Sequence, residues 1–348
     1  MATKNIRAAV LGASGYTGAD MIRLAARHPN ITIAASIAKG HVGQPLSQVF
    51  PHFATLALPD LITTEEVDWS KVDVVFCSLP HAAAHGEIAK LPERLKVIDM
   101  SADFRLRDPA VYAEWYGGKH GAPHLLKDAV YGLTEHYAQQ IKAARLVACP
   151  GCYPTAVLLA LLPLAKAKLI ETDDVIIDAK SGVSGAGRSL KQNILFSEAG
   201  EGLSPYGIGN HRHVPEIEQE LSAASGKGVT VNFTPHLVPM SRGELCTCYV
   251  KLGSETTTAN LRQALAEAYA KSRFVHVVGE GVIPATQHVR GSNHCHIGVF
   301  ADRIGGRAIV ISAIDNLVKG SAGQALQNFN LMYGFDEALG LEQLPLFP

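Results

Sequence analysis

The stretch Arg7-Ala8-Ala9-Val10-Leu11-Gly12-Ala13-Ser14-Gly15-Tyr16-Thr17-Gly18 decides the fold. Residues 7–11 form a short apolar run that stops at Gly12, and residues 19–27 continue with helical spacing, placing Met21, Leu24 and Ala25 on one face. A glycine-rich turn between strand and helix supplies positive φ and close backbone approach. The N–H groups at the helix start can receive a pyrophosphate. The spacing is Gly-x-x-Gly-x-x-Gly rather than Gly-x-Gly-x-x-Gly, so the strand–turn–helix context carries more weight than the glycines. Gly12, Ser14, Gly15, Tyr16, Thr17 and Gly18 are the candidate cofactor-binding residues of this turn.

Working outward, residues 31–37, 72–79, 96–100 and 145–148 read as strands and residues 82–91 as a helix. The unbroken apolar run at 72–79 is what a parallel strand buried on both faces requires. Alternating strands and helices predict an α/β, Rossmann-type doubly wound parallel sheet. After about residue 170 strand-like runs dominate, at 175–179, 229–233, 245–252, 294–300 and 308–313, with one clear helix at 258–270. This predicts a second, α+β domain carrying a mixed, largely antiparallel sheet. A last helix at 321–333 puts Ala322, Ala325, Leu326 and Phe329 on one stripe and is expected to pack back on the first domain.

The 348 residues suit two domains, and 47% hydrophobic residues leave no compositional case for disorder. A net charge of -1 without a basic block argues against a nucleic-acid partner. The longest apolar run, 156–165, is too short to span a bilayer and contains Pro163, so no membrane partner is expected. A strand beginning near residue 7 leaves no room for a signal peptide. The expected compartment is the cytoplasm, or the plastid stroma if the chain is a processed form. Six scattered cysteines in a large chain read as free thiols in a reducing compartment.

An NAD-preferring site usually carries an acid at the end of the second strand. Here the segment is Ser36-Ile37-Ala38-Lys39-Gly40, where a hydroxyl and a cation suit a 2′-phosphate, so the expected cofactor is NADP. Ser78, Leu79 and Pro80 follow a buried strand end, where a doubly wound sheet places further cofactor contacts.

Ala148-Cys149-Pro150-Gly151-Cys152-Tyr153-Pro154-Thr155 joins a strand to a long apolar helix. Pro154 suits the first helical turn, which puts Cys152 at the helix N-terminus. A helix dipole contributes only about 0.3–1 kcal/mol, less than one pKa unit, so a reactive thiolate calls for a neighbouring imidazolium. A redox Cys149/Cys152 pair lacks thioredoxin-like context, and Cys246-Thr247-Cys248 lacks zinc-knuckle spacing, so no metal is expected. Cys77, Cys246, Cys248 and Cys295 read as small core residues.

Together these blocks become recognisable. Gly-Ala-Ser-Gly-Tyr-Thr-Gly at 12–18, Ser-Leu-Pro-His at 78–81, Ser-Ala-Asp-Phe-Arg at 101–105 and Pro-Gly-Cys-Tyr-Pro-Thr at 150–155 resemble the N-acetyl-γ-glutamyl-phosphate reductases. So do Ser-Gly-Val-Ser-Gly-Ala-Gly-Arg at 181–188, His-Arg-His-Val-Pro-Glu at 211–216 and Ala-Ile-Asp-Asn-Leu-Val-Lys-Gly at 313–320, in the family's order. The resemblance implies NADPH-dependent reduction of a small acyl phosphate, N-acetyl-γ-glutamyl phosphate, to the semialdehyde with phosphate release, a step of arginine biosynthesis. It implies Cys152 as nucleophile and His211 as acid/base. His211 and His213 lie two apart in an extended segment and face the same side, so spacing alone does not separate them.

The substrate-binding candidates are Arg105, Ser184, Arg188, His213 and Glu216, the arginines because a guanidinium grips phosphate or carboxylate in a forked manner. Ser181, Gly182, Gly185 and Ala186, in a loop expected between nicotinamide and substrate, and Asn316, in the last of the family's blocks, are further cofactor-binding candidates. The implied organisation is an NADP-binding domain at 1–152, a catalytic, substrate and oligomerisation domain at 153–318, and a returning C-terminal helix at 319–348. A homodimer or homotetramer is expected through the second domain's sheet. The rival expectations are a reductase of another acyl phosphate, of aminoadipyl or aspartyl type, and a non-catalytic NADP-binding sensor.

Overall fold

A computed structural model describes residues 5–348, which divide into two compact units. The first runs to Pro150 and takes in Ser321–Glu342; the second comprises Gly151–Gly320 and Gln343–Pro348. Gly151 and Cys152 thus belong with the second unit, as do the last six residues, and the helical return occupies only the stretch between.

The first unit is built on strands β1 (Ile6–Leu11), β2 (Ile31–Ile37), β3 (Leu61–Ile62), β4 (Val74–Cys77), β5 (Lys96–Asp99), β6 (Ala129–Tyr131) and β7 (Leu146–Ala148). They pair in the order β3-β2-β1-β4-β5-β7-β6, every pair parallel. The chain therefore reverses its direction of winding between β1 and β4, the place where such sheets bind ligands beyond the strand ends. All four residues of β4 are buried, as its unbroken apolar sequence requires.

The helix Tyr16–Ala25 covers the sheet with Met21, Ile22, Leu24 and Ala25. The returning helix, Gly323–Tyr333, follows a π-helical turn at Val318–Ala322 and is buried on more than its apolar stripe. Its amides replace water for β6 and the turn after it. Asn328 Nδ2 donates to Gly132 O at 2.8 Å, and Gln324 Nε2 donates to the same oxygen at 2.9 Å. Phe329 is fully buried, with ring neighbours His28 at 5.4 Å, Phe76 at 5.8 Å and Tyr333 at 4.8 Å.

The second unit holds β8 (Ile170–Gly182), β9 (Ser204–Pro205), β10 (Val231–Val238), β11 (Glu244–Leu252), β12 (Val275–Val277), β13 (Cys295–Ala301) and β14 (Arg307–Ile314). Their order is β12-β13-β14-β11-β8-β10-β9; β8 with β10 and β12 with β13 are parallel, and the other four pairings are antiparallel. One face is covered by the helix Cys152–Lys166, whose residues from Tyr153 to Leu162 are all buried, with Val214–Ser225 packed beside it. This last helix, opened by Val214-Pro215, was not anticipated from the apolar periodicity. The inward positions of β11 are Glu244, Cys246, Cys248 and Val250, and an acid heads that row.

Phe329→Ala leaves a void where a fully buried ring packs against His28, Phe76 and Tyr333. We expect it to destabilise the first unit by about 3–5 kcal/mol, read as a lower urea midpoint for its transition.

Candidate active site

At the end of β1 the chain turns at Gly12, where φ is +83°. A Cβ there would lie 2.7 Å from Ser78 O, and one at Gly18 would lie 2.3 Å from Gly12 O. Both glycines are therefore fixed by close backbone approach. Gly12 N and Ala13 N donate to Ile37 O, and Ser78 Oγ donates to Leu11 O at 2.8 Å, so β2 and β4 lock the turn between them. Gly15 caps the Tyr16–Ala25 helix, whose first turn carries no acidic residue. Ser14, Tyr16, Thr17 and Gly18 stand where backbone N–H groups and a bare helix dipole favour an anion. These features fit a dinucleotide pyrophosphate.

Ser36, expected at the cofactor, is buried on β2 between the neighbouring strands β1 and β3, and its hydroxyl has no hydrogen-bond partner within the protein. Lys39 is exposed just past the strand end. Ser78 serves the turn through its hydroxyl, while Leu79 is part-exposed and Pro80 exposed at the mouth of β4.

Arg105 is buried, its Nε donates to Cys149 O at 2.8 Å and its Nη2 to Met100 O at 3.1 Å. It braces the strand-end carbonyl three residues before Cys152 rather than presenting its fork to solvent. Cys149 is buried too, and desolvation pushes its thiol up to about 12, which makes it inert.

In the second unit Gly151 caps the helix and Cys152 is its first residue; no acidic side chain stands in the first turn. Of the six cysteines, all among the described residues, Cys152 alone is part-exposed. Its surroundings are close. Glu216, buried on the first turn of the Val214–Ser225 helix, accepts the Gly151 N–H at 2.9 Å. The His213 ring lies so near Gly151 that a Cβ there would meet Nε2 at 2.4 Å, and a Cβ at Gly320 would meet Cys152 Cβ at 2.7 Å.

His211 sits in an aromatic wall, with ring centroids 5.8 Å from Tyr153, 5.3 Å from Tyr206 and 5.2 Å from Phe233. Its Nδ1 accepts the His213 backbone N–H at 3.2 Å, which assigns the hydrogen of the neutral ring to Nε2. Burial, with Arg212 nearby, lowers its pKa to about 4. The standing imidazolium expected beside Cys152 is therefore not His211 at neutral pH.

The loop after β8 is held from behind. Gly182 packs against Met240 O and Ser241 O, where a Cβ would lie at 2.8 and 2.9 Å, and a Cβ at Gly185 would meet Ser181 Oγ at 2.9 Å. Asn316 accepts Gly243 N–H at 2.9 Å and donates to Ser184 Oγ at 3.0 Å. Buried and so engaged, Asn316 clasps this loop. Ser181 and Gly182 are buried, Ser184 and Ala186 part-exposed, and Gly185 and Arg188 exposed. This loop is the only part of the expected nicotinamide-side set that the second unit presents at its surface.

Glu244 was missed. It is fully buried at the start of β11, opposite Ser181 and Ile314, and Cys152 is its polar neighbour. The sequence did carry a signal: Glu244 has the same parity as Cys246 and Cys248, so an acid occupies an inward strand position. Starting the strand at 245 hid it. No group of three or more His, Cys, Asp or Glu among the described residues could hold a metal ion.

Comparison with known proteins gives this arrangement its class. Residues 7–144 match the NAD-binding domain of semialdehyde dehydrogenases and residues 152–316 match the dimerisation domain of the same enzymes. Aspartate semialdehyde dehydrogenase II of Vibrio cholerae, crystallised with ASA, aligns at TM-score 0.70 over 95% of this chain and 98% of its own, at 16% identity. The NADP complex of the Candida albicans aspartate semialdehyde dehydrogenase aligns at 0.67 over 94% and 98%, at 18% identity. The fold is that of the semialdehyde dehydrogenases.

Sequence relatives narrow the class. The probable chloroplastic N-acetyl-gamma-glutamyl-phosphate reductase of Arabidopsis thaliana is 55% identical over 345 residues, covering 99% of this chain and 86% of its own. The N-acetyl-gamma-glutamyl-phosphate reductase of Rhodospirillum rubrum is 55% identical over 351 residues, covering 99% and 100%. The chain belongs to the N-acetyl-γ-glutamyl-phosphate reductase family.

Gly18→Val forces a branched side chain into the backbone of the turn. NADPH binding, followed by fluorescence titration, should weaken at least tenfold, about 1.4 kcal/mol, while the second unit's thiol keeps its reactivity.

Proposed function

We propose that the chain reduces N-acetyl-γ-glutamyl phosphate to N-acetylglutamate 5-semialdehyde with NADPH, releasing phosphate through a thioester on Cys152. The observation that carries this is the one part-exposed thiol, at a helix start beside two histidines, in a chain of this family. Lys39 past the end of β2, and the absence of an acid in that segment, support NADP over NAD.

The residues divide the work as follows. The Cys152 sulfur attacks the acyl carbon; the C–S bond forms and the carbon–oxygen bond to phosphate breaks. His213, over Gly151, takes the thiol proton. His211 presents Nε2–H as a donor to the oxyanion, alongside the N–H groups at the helix start. The bound dinucleotide supplies the hydride that brings the acyl group to the aldehyde level. The carbonyl then re-forms, sulfur leaves as thiolate, and His213 returns the proton. Arg188, exposed after Gly187, is the guanidinium for the substrate's phosphate or carboxylate. Glu216 holds the turn that carries the nucleophile.

The outer face of the second sheet supports assembly with further copies of the chain, as a dimer or tetramer. Ile176, Tyr249 and Ile309 lie side by side in register there, with Thr247 and Ile311 adjoining. An apolar row on the open face of a sheet is a contact surface. No helix among the described residues is long and apolar enough to cross a membrane. The bacterial and chloroplastic relatives support the cytoplasm or the plastid stroma as its compartment.

The test is the reverse reaction: N-acetylglutamate semialdehyde with NADP⁺ and phosphate, read as NADPH formation. Phosphate-dependent turnover should fall by at least about 10³-fold in Cys152→Ser. Turnover of aspartate or aminoadipate semialdehyde instead would point to a sibling reductase, and cofactor binding with no turnover of any to a sensor.

Tyr249→Asp places a charge in the row on the open face. Light scattering should then shift the particle mass toward the 37.1 kDa of one chain. An unchanged mass would remove this face as the contact.

A further inference from the structure

A carboxyl group lies beneath the nucleophile, and the mechanism above leaves it without a task. Glu244 has no exposed surface, and neither of its oxygens has a partner at ordinary hydrogen-bond geometry. Cys152 is a polar side chain beside it, and Ser181 stands opposite it on β8. Backbone register explains the proximity. Glu244 faces Ile314 across β11 and β14, and Gly320 brings the two neighbourhoods together, since its Cβ would lie 3.2 Å from Ile314 Cδ1 and 2.7 Å from Cys152 Cβ.

An unpaired buried carboxylate costs several kcal/mol, and the group neutralises instead. Here burial leads and raises the Glu244 pKa to about 8, with the adjacent Cys152 opposing the rise and Asp315 adding to it. Arg242, two residues before Glu244, pairs with Asp315 at 3.6 Å. The remaining titratable groups that couple to Glu244 are Cys246, on its own strand, and Tyr153 and Tyr206 from the wall around His211; all are raised by burial and uncharged at neutral pH.

We propose that Glu244 is a catalytic residue that acts as a neutral carboxylic acid, donating its O–H to the Cys152 sulfur whenever that sulfur carries negative charge. The donor stabilises the thiolate twice, as attacking group and as leaving group when the carbonyl re-forms. It does so without placing a negative charge near an anionic acyl phosphate. It also supplies what neither a helix dipole worth less than one pKa unit nor the neutral His211 provides. No proton is transferred: the acid keeps its hydrogen throughout, and the thiol proton still travels to the histidine. The loose resting geometry tightens when sulfur becomes an anion.

The inference rests on Cys152 as nucleophile but not on the identity of the substrate, and its test needs no substrate. The rate of iodoacetamide alkylation of Cys152, read by peptide mass across pH 6–10, gives the thiol's titration in the full-length wild type, Glu244→Gln and Glu244→Leu. Glu244→Leu removes the donor and should slow alkylation at pH 7 by roughly tenfold, one unit in the thiol's pKa. Glu244→Gln keeps a weaker donor in the same shape and should fall between.

In steady-state turnover, kcat should drop in the same order with KM unchanged, because the group touches sulfur and not substrate. Unchanged or faster alkylation in Glu244→Gln would overturn the proposal, the faster rate meaning that Glu244 is a carboxylate repelling the thiolate. Glu244→Gln is near-isosteric, so it carries the test even if Glu244→Leu does not fold. Activity surviving in Cys152→Ser would remove the covalent mechanism, a failure distinct from an unaltered thiol titration.

Discussion

The hydrogen bond from Gly151 N–H to the Glu216 carboxylate, 2.9 Å long, is the constraint on which the second unit's chemistry depends. It ties the cap of the nucleophile's helix to the first turn of a second helix, and the two helices pack side by side. Glycine is required on either side of the nucleophile. At 151 a side chain would enter the His213 ring, and at 320 it would enter Cys152 itself. With the helix start immobilised, the sulfur has one place to be. His213, Glu244 and the aromatic wall of Tyr153, Tyr206 and Phe233 are arranged about that place.

The same device occurs in the first unit with a different load. There a glycine-capped helix again opens without an acid in its first turn, and the turn before it is pinned by β2 and β4 through main-chain bonds to Ile37 and the Ser78 hydroxyl. Elsewhere the helix at Thr134–Ala143 carries Glu135 in its first turn and Val214–Ser225 carries Glu216. The same absence recurs at Pro109–Tyr116, Thr258–Ala268 and Gly323–Tyr333, so it permits an anion at a helix start without by itself marking one.

Backbone-determined features were legible from the amino-acid sequence. The strand–turn–helix around Gly12, the buried β4 and the placement of Cys152 at a helix start all follow from apolar period, glycine and proline, and all are present. Side-chain direction was less legible. Ser36 and Lys39 lie three residues apart at one strand end, yet the hydroxyl turns inward and the ammonium outward, which composition cannot show. Arg105 and Asn316 stand in motifs that imply ligand contact but spend their donors on backbone carbonyls and a serine hydroxyl, because the irregular backbone there leaves polar groups needing partners. Glu244 was hidden by a strand boundary drawn one residue late, and inward and outward alternate with a period of two.

The electrostatic character of the second unit's site follows from its burial. A thiolate is usually stabilised by a standing positive charge, and here desolvation removes that option at His211, whose ring stays neutral with its hydrogen on Nε2. The same desolvation keeps Glu244 protonated. Both shifts run toward the uncharged form, so the walls around the sulfur offer oriented donors in place of fixed charges. Such donors respond to charge that develops during a reaction and interact weakly with a resting thiol. They also neither attract nor repel the net charge of an incoming acyl phosphate, a task proposed above for the exposed Arg188. A site of this kind holds anions at its rim and stabilises the transient charge on sulfur and oxygen within, and that separation is what allows one cysteine to expel phosphate and then be expelled in turn.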